Sequence, residues 1–249
     1  MRYDINDIYD DVRNAIDEIA LNDADFIGSQ DNSEMQDIIS AKVEEAADYV
    51  HLNADIARMA CDEVEELSYG SEHVGGAILS DDMVLTIPLA YQPQEGTPYS
   101  HNPLRLISAM AMETTETTTP QYAWPWPVTE FIHETSPYYA AVRDKYTGAN
   151  ADKPAVVITN TAANIVSSPA IEVWKMPSES ASFSCRFINH AKLETEGSET
   201  APAVSIDKNL TKAFIYQVAA LTLATYAEND KASTLFQLAN REAGITPQQ

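Results

Sequence analysis

The sequence predicts an α+β fold, in which N-terminal helices and a C-terminal helical hairpin form a helical body with an inserted antiparallel β-rich part. Apolar residues near both ends of the chain recur at helical spacing, and short alternating segments between them are typical of strands. Neither helical end has a partner of its own, so we expect the two ends to pack together and the β part to project from them. The predicted parts are 1–72, 73–206 and 207–249.

The segment from Asp207 to Gly244 has the clearest helical pattern in the chain. Phe214 and Leu221 belong to one apolar stripe and a second stripe adjoins it, so the first helix needs burial on most of its sides. Residues 228–230 interrupt the pattern and offer an N-cap, after which a second helix continues until Gly244 supplies a C-terminal stop. We therefore predict a helical hairpin that packs on another part of the chain.

The N-terminal part is predicted to be helical as well. Isoleucine and valine at helical spacing mark an amphipathic helix over residues 4–21, whose other sides are acidic. Ser33 and Gln36 have the spacing of a capping box, which predicts that a second helix begins at Ser33. Its apolar pattern continues to Gly70, either as one long helix or as two helices broken near Leu52.

The middle of the chain changes to strand patterns after Gly70. Residues 77–79 and 83–87 predict either a hairpin or one bent strand. Residues 104–112 predict a strand, with a helix as the alternative. The remaining predicted elements are strands at 155–159, 171–176 and 181–188, a short helix at 138–146, a loop at 113–121 and a polar acidic link at 192–202. Two prolines at 124–128 exclude a regular central strand or helix interior there.

Net charge is the strongest compositional feature. The chain of 249 residues has 15 basic and 38 acidic residues and a formal net charge of −23. Residues 1–82 alone hold 22 acidic and 4 basic residues, so most of the acidic surface belongs to the N-terminal part. Binding to nucleic-acid phosphates needs a basic surface, so the composition argues against direct affinity for DNA or RNA.

The composition argues against several other classes of protein. Apolar residues make up 45% of the chain and charged residues 21%, which is typical of a folded protein. A run of about 18 apolar residues is missing and the N-terminus is acidic, so we expect no membrane span and no secretory signal, but a soluble protein made in the cytoplasm. Cys61 and Cys185 stand far apart, which favours free or structural thiols over a metal site or a disulfide.

Motifs of catalysis or metal binding are incomplete in the sequence. His133 and Glu134 begin like a zinc-binding HExxH motif, but Pro137 replaces the second histidine. Acidic runs lack the alternating ligands and the glycine of a calcium loop, which favours solvated helix faces. Ser184 and Cys185 lie in an alternating strand, where packing is the commoner role. We therefore predict no catalytic, cofactor-binding or metal-binding residues.

Aromatic residues are densest around the proline-rich turn. Such a group either stacks on a ligand or, more commonly, forms a local core or a subunit contact. The group comprises Trp124, Trp126, Tyr138, Tyr139 and Tyr146.

A spaced succession of segments extends from residue 104 to residue 232. A Leu-Arg-Leu strand is followed by a Trp-Pro-Val turn, a short helix that begins with Ser-Pro, a glycine turn with a further strand, and a closing helix pair. In this order the chain resembles virion structural proteins of crAss-like, podovirus-type tailed bacteriophages, which form rings at the head-tail junction. The segments are 104–107, 126–132, 136–139, 146–148, 153–156 and 212–232.

The resemblance implies a non-enzymatic head-tail connector, or portal adaptor, that joins the capsid to the tail and extends the portal channel. In that family a helical body with an inserted β part forms a ring beneath the portal, usually of about twelve copies. The implied partners are further copies of this chain, the portal protein and other connector or tail proteins, while DNA passes through without specific binding. The implied location is the virion, with no membrane and no cofactor.

Two other functions stay open on the sequence alone. A minor capsid-associated protein is also a virion structural protein, and its copies lie dispersed over the particle rather than in one axial ring. A hydrolase that uses Glu130, His133 and Glu134 is the enzymatic alternative, and it requires these residues to converge in one pocket. The acidic balance favours the connector, because an acidic channel wall repels DNA phosphates.

Overall fold

A computed structural model shows two compact units in the chain. The helical unit comprises Met1–Glu63 with His190–Gln249, and the sheet unit comprises Val64–Asn189. Helices and β-sheets are both present, so the predicted α+β class is confirmed. The structure describes residues 1–19, 32–69, 77–91, 99–113, 121–123, 132–133, 155–159, 169–174, 176, 179, 181–195 and 201–245.

Four α-helices and a two-stranded sheet make up the helical unit within the described residues. The sheet pairs β1, Arg2–Asp4, with β13, Ala203–Ser205, in antiparallel register. Neither short strand is predicted from the sequence, where residues this close to a helix carry too few alternations to be recognised. The helices are α1 at Ile5–Ile19, α2 at Asn32–Asn53, α3 at Thr211–Thr225 and α4 at Asn229–Ala243.

The core of the helical unit combines side chains from all four helices. Ile8, Val12, Val43, Phe214 and Leu235 are each 0% exposed and belong to one apolar cluster. Ten of the 15 residues of α3 are buried, as its two adjoining apolar stripes require. Because full burial of a large apolar side chain stabilises a fold by roughly 1.5–3 kcal/mol, this cluster is a major source of the unit's stability.

Gly244 and Arg58 close the C-terminus of α4. Gly244 has a φ of 74°, and the Ile245 amide returns to a carbonyl of the last turn at 2.8 Å, as in a Schellman motif. Arg58 Nη1 donates to the carbonyls of Arg241 and Glu242 at 2.9 and 3.2 Å. The positive φ favours glycine here, and a Cβ at Gly244 would lie 2.6 Å from Arg58 Nε and displace that side chain from the end of the helix. The predicted C-terminal stop is confirmed.

The helical pattern predicted to continue to Gly70 is wrong. The second helix begins at Asn32, beside the predicted capping box, and it ends at Asn53, where the sequence allowed a break. A 3₁₀-helix follows at Ile56–Arg58. Its start is fixed by Asp55, whose carboxylate accepts a hydrogen bond from the Ala57 amide at 3.0 Å.

A strand, β2 at Glu65–Tyr69, occupies the rest of the segment that the pattern assigned to a helix. Its residues pair antiparallel with β12, Ser182–Asn189. Leu67 is buried in the core of the sheet unit, whereas Glu65 and Glu66 are exposed. Backbone pairing in the sheet therefore outweighs a short stretch of helical spacing. The acidic run at 62–66 lies on a turn and a strand instead of the solvated helix face that the sequence predicts.

Asp207 joins the end of the N-terminal part to the start of α3. The side chain is 0% exposed, and its Oδ1 accepts hydrogen bonds from the amides of Ala60 and Asn209, each at 3.0 Å. Its Oδ2 accepts one from Cys61, at 2.7 Å, and Cys61 has a φ of 56°. The Asp207 amide donates to Nε2 of the buried His51 at 3.2 Å. One carboxylate thus fixes the path of residues 59–61.

The sheet unit contains sheets of five, four and two strands within the described residues. Besides β2 and β12, its strands are β3 at Ile78–Leu79, β4 at Val84–Pro88, β5 at Ala90–Tyr91, β6 at Tyr99–Ser100, β7 at Pro103–Glu113, β8 at Gln121–Ala123, β9 at Ile132–His133, β10 at Ala155–Thr159 and β11 at Ala170–Trp174. The larger sheets have the orders β3-β4-β11-β10-β9 and β2-β12-β7-β8, and β5 pairs with β6.

The predicted strands of this unit are confirmed, with small differences at their ends. β3 and β4 form a hairpin rather than one bent strand, and Met83 in its turn has a φ of 62°. The segment 104–112 is a strand rather than a helix. Leu85, Ile171 and Phe187 belong to one core cluster, which the two larger sheets share.

The described strand pairs are antiparallel except for one. β9 and β10 run parallel, with Ile132 opposite Val157, so the prediction of an antiparallel insertion is corrected at this pair. Parallel neighbours need a long crossover, and the sequence provides residues 134–154 between them.

The unit boundaries lie earlier in the chain than the predicted boundaries at 72/73 and 206/207. The sheet unit begins at Val64 because β2 pairs with β12, and it ends at Asn189, where β12 ends. The ends of the predicted loop at 113–121 lie in strands, because β7 ends at Glu113 and β8 begins at Gln121. The rest of that loop, the proline-rich segment at 124–128, the predicted helix at 138–146 and the aromatic group lie outside the described residues.

Candidate functional site

One face of α1 carries a stripe of acidic residues. The helix repeats every 3.6 residues, and the buried residues Ile8, Val12 and Ile16 lie on one side of it. The acidic residues lie on the opposite side. The exposed residues of the helix are all acidic or Asn. They are Asn6, Asp7, Asp10, Asp11, Asn14, Asp17 and Glu18.

Two acidic residues in the second half of α2 bind the segment that returns from the sheet unit. Asp48 Oδ1 accepts a hydrogen bond from the Ala191 amide at 2.7 Å, and its Oδ2 lies 2.6 Å from His190 Nδ1. Glu44 accepts one from the Leu193 amide at 2.9 Å. These carboxylates therefore stabilise the fold, and the polar link predicted at 192–202 begins as a segment held on α2.

Two acidic residues in the first half of α2 are exposed and contact no oppositely charged group among the described residues. Glu34 and Asp37 lie one helical turn apart on the same side of the helix. Neither forms a hydrogen bond or a salt bridge with any residue that the structure describes. They leave a compact pair of negative charges facing solvent.

A groove of about 520 Å³ lies between α1 and the start of α3. Asp11, Asn14 and Glu18 of α1 form one wall, and Lys208 and Lys212 form the other. The groove is therefore lined by both signs of charge, with the basic side at the N-terminal end of α3.

A tyrosine contacts a charged side chain on each wall of the groove. The Tyr3 hydroxyl donates a hydrogen bond to the Asp11 carboxylate, and the Tyr3 ring lies 6.2 Å from the ring of the buried Phe214. Lys212 Nζ lies 5.5 Å from the centre of the Tyr216 ring, which is within the range of a cation–π interaction. The side chains of the groove are thus placed by the core beneath them.

In the sheet unit, Glu65 on β2 and His101 form an ion-pair contact. His101 Nδ1 lies 2.5 Å from Glu65 Oε2, and the His101 ring packs edge-on against Phe187 at 5.4 Å. The hydrogen bond from His101 lowers the pKa of the Glu65 carboxyl below its usual value, while partial burial opposes the change. The contact joins an exposed edge strand to the start of β7.

Cys185 has the surroundings of a structural thiol. It is 0% exposed in β12, and burial raises its pKa to about 12. At neutral pH it is therefore protonated and unsuited to nucleophilic attack, in agreement with the packing role predicted from the sequence. Cys61 is also a free thiol, so these two residues form no disulfide.

The residues of the enzymatic alternative are only partly described. His133 lies in β9, whereas Glu130 and Glu134 lie outside the described residues. Across the described ranges, no group of three or more His, Cys, Asp or Glu side chains could hold a metal ion. No helix in those ranges is long and apolar enough to cross a membrane.

The comparisons with known proteins add no relative. No protein-family model matches the chain, and no curated protein matches it.

Sequence reasoning identified the acidic face of α1 but missed the groove and the role of Asp207. The spacing of Lys208 and Lys212 was a visible signal, because it puts two basic residues on neighbouring turns. The wall opposite them comes from a helix almost 200 positions earlier in the sequence, which no local pattern reveals.

Proposed function

We propose that this chain is a structural subunit of a bacteriophage head-tail connector ring. In this role it joins capsid to tail, extends the portal channel and forms part of the conduit for DNA. The ordered resemblance between residues 104 and 232 supports the proposal, as does an α+β fold in which both ends of the chain belong to one helical unit. The role is mechanical and requires no catalytic group.

The acidic face of α1 is the observation that carries the proposal. Its exposed residues include five carboxylates and no lysine or arginine. A channel wall with this charge repels DNA phosphates, so a genome passes along it without being held. In the proposed ring, this face lines the lumen and the partners are the portal and other connector or tail proteins.

Native mass spectrometry of the purified chain tests whether it forms a ring. We expect a closed oligomer of about twelve copies, and we expect the chain among the proteins of purified phage particles. A chain that stays monomeric at high concentration and is missing from the particles would contradict the proposal.

Charge reversal on α1 tests whether this face lines the DNA channel. Particles with Asp7→Lys and Asp17→Lys should eject DNA more slowly, because the lumen would then attract phosphates, and the difference should fade as salt rises. Asp81→Lys with Asp230→Lys changes the net charge equally at other exposed sites and should leave the ejection rate unchanged. Equal ejection rates for both variants would argue against an α1-lined channel.

A further inference from the structure

Two lysines of the helical unit have no ionic partner among the residues that the structure describes. The unit contains nine lysine and arginine residues, and seven of them contact carboxylates, carbonyl oxygens or other neighbours. Lys208 and Lys212 differ from these seven: Lys212 Nζ lies over the Tyr216 ring, and neither ammonium group lies within salt-bridge distance of a carboxylate of the described residues. In a chain with 38 acidic and 15 basic residues, unpaired cations are unexpected, and both line the same groove.

The N-terminus of α3 adds to the positive potential at these lysines. The N-cap residue, Leu210, offers no side-chain hydrogen bond to the first amides of the helix. The helix dipole makes this end attractive to anions, and Lys208 and Lys212 lie on either side of it. The nearby Asp207 carboxylate is buried and neutralised in part by the three amides that donate to it. This side of the groove therefore favours carboxylates or phosphates.

The opposite wall decides between these two kinds of anion. Asp11 and Glu18 line the same groove, and the acidic face of α1 extends beyond it. A nucleic-acid backbone presents a continuous row of phosphates and would be repelled by this wall. A pair of carboxylates brings only two charges, which the two lysines match, whereas a row of phosphates brings further charges along the acidic face. The charges therefore fit an acidic patch on a protein.

We infer that the occupant is a second copy of this chain, which places Glu34 and Asp37 of its α2 on Lys208 and Lys212. Glu34 and Asp37 are exposed, lie one turn apart and have no partner among the described residues. They do not line the groove, so the contact joins two different surfaces and repeats from copy to copy, as a ring requires. The inference rests on the proposed ring and identifies its subunit contact.

Cross-linking between isotopically distinct copies tests the contact directly. A mixture of ¹⁵N-labelled and unlabelled chain is assembled and treated with a carbodiimide, which joins a lysine amine to a carboxylate in contact with it. Mass spectrometry should find mixed-isotope links from Lys208 or Lys212 to Glu34 or Asp37. Links confined to single copies, or mixed links only between other residues, would overturn the inference.

Charge reversal gives an independent readout. Lys208→Glu with Lys212→Glu should raise the concentration for half-assembly by about 30-fold or more, because each paired interface charge would meet a like charge. Lys42→Glu with Lys192→Glu has the same change in net charge at sites outside the groove and should assemble normally. Adding Glu34→Lys and Asp37→Lys to the groove variant should restore assembly. Circular dichroism confirms that each variant is folded.

The outcomes separate this contact from the ring itself. Rings that form equally well in the groove variant would overturn the contact and leave the connector proposal standing. A groove variant that assembles but loses measurable affinity for a DNA oligonucleotide would assign the groove to phosphates and also overturn the contact. A wild-type chain that remains monomeric and is missing from purified particles would contradict both proposals.

Discussion

Among single residues, Asp207 is a fully buried carboxylate that links two distant segments of the helical unit. A buried carboxylate is costly unless hydrogen bonds stabilise its charge, and here three backbone amides do so. The same residue connects two segments that are distant in sequence. In the sequence it looks like any polar residue before a helix, because hydrogen bonds from distant amides leave no local pattern.

Replacing this carboxylate should destabilise the helical unit. Asp207→Ala leaves three amides without their acceptor, so we expect the free energy of unfolding to fall by about 3 kcal/mol or more in urea denaturation. Asp10→Ala, on the exposed face of α1, is the control and should change it by less than about 0.5 kcal/mol. Equal effects would show that the amides of Ala60, Cys61 and Asn209 do not depend on Asp207.

Glu65 gives a residue-level prediction that depends on pH. The folded pKa of Glu65 is lowered from 4.5, so its pair with His101 stabilises the fold fully above about pH 4.5 and loses this contribution as the pH falls through the lowered pKa. A titration followed by carboxyl NMR should give a pKa for Glu65 below the ordinary value of a glutamate. In His101→Ala the pKa should rise back towards it. An unchanged Glu65 pKa in that variant would contradict the assigned cause.

At the scale of elements, α3 shows how a sequence pattern and packing agree. Its two apolar stripes predict burial on most sides, and Phe214 near its start is 0% exposed. Phe214→Ala should cost about 3–5 kcal/mol, and Phe214→Asp should abolish folding and assembly together because it buries an unpaired charge. Thermal unfolding followed by circular dichroism measures both. Ala224→Asp, on an exposed position of the same helix, should leave the chain folded.

The elements that the sequence predicts correctly are those with long, regular patterns. α1, α3 and α4 and the strands β10, β11 and β12 each have enough apolar positions to fix their type, whereas the pattern of β7 also allowed a helix. The strand β2 is assigned wrongly because its few apolar residues fit helical spacing, while pairing with β12 decides its structure. The parallel pair of β9 and β10 also depends on contacts between distant residues.

For the molecule as a whole, the sequence predicts the fold class and the acidic surface. It shows the charged residues that line the groove, but not that they lie together. The charge of −23 and its concentration near the N-terminus follow from composition. The groove exists because the hydrophobic core places α1 beside the start of α3. The spacing of residues along the chain does not predict tertiary packing of this kind. The connector ring and its subunit contact are proposals that combine these surfaces.

Cryo-electron microscopy of tailed phage particles produced with this chain tests the central proposal most directly. The connector account predicts a single axial ring of copies at the head-tail junction, with α1 facing the lumen and the groove at the contact between neighbours. Copies dispersed over the capsid surface, as for a minor capsid-associated protein, or particles without the chain would contradict it.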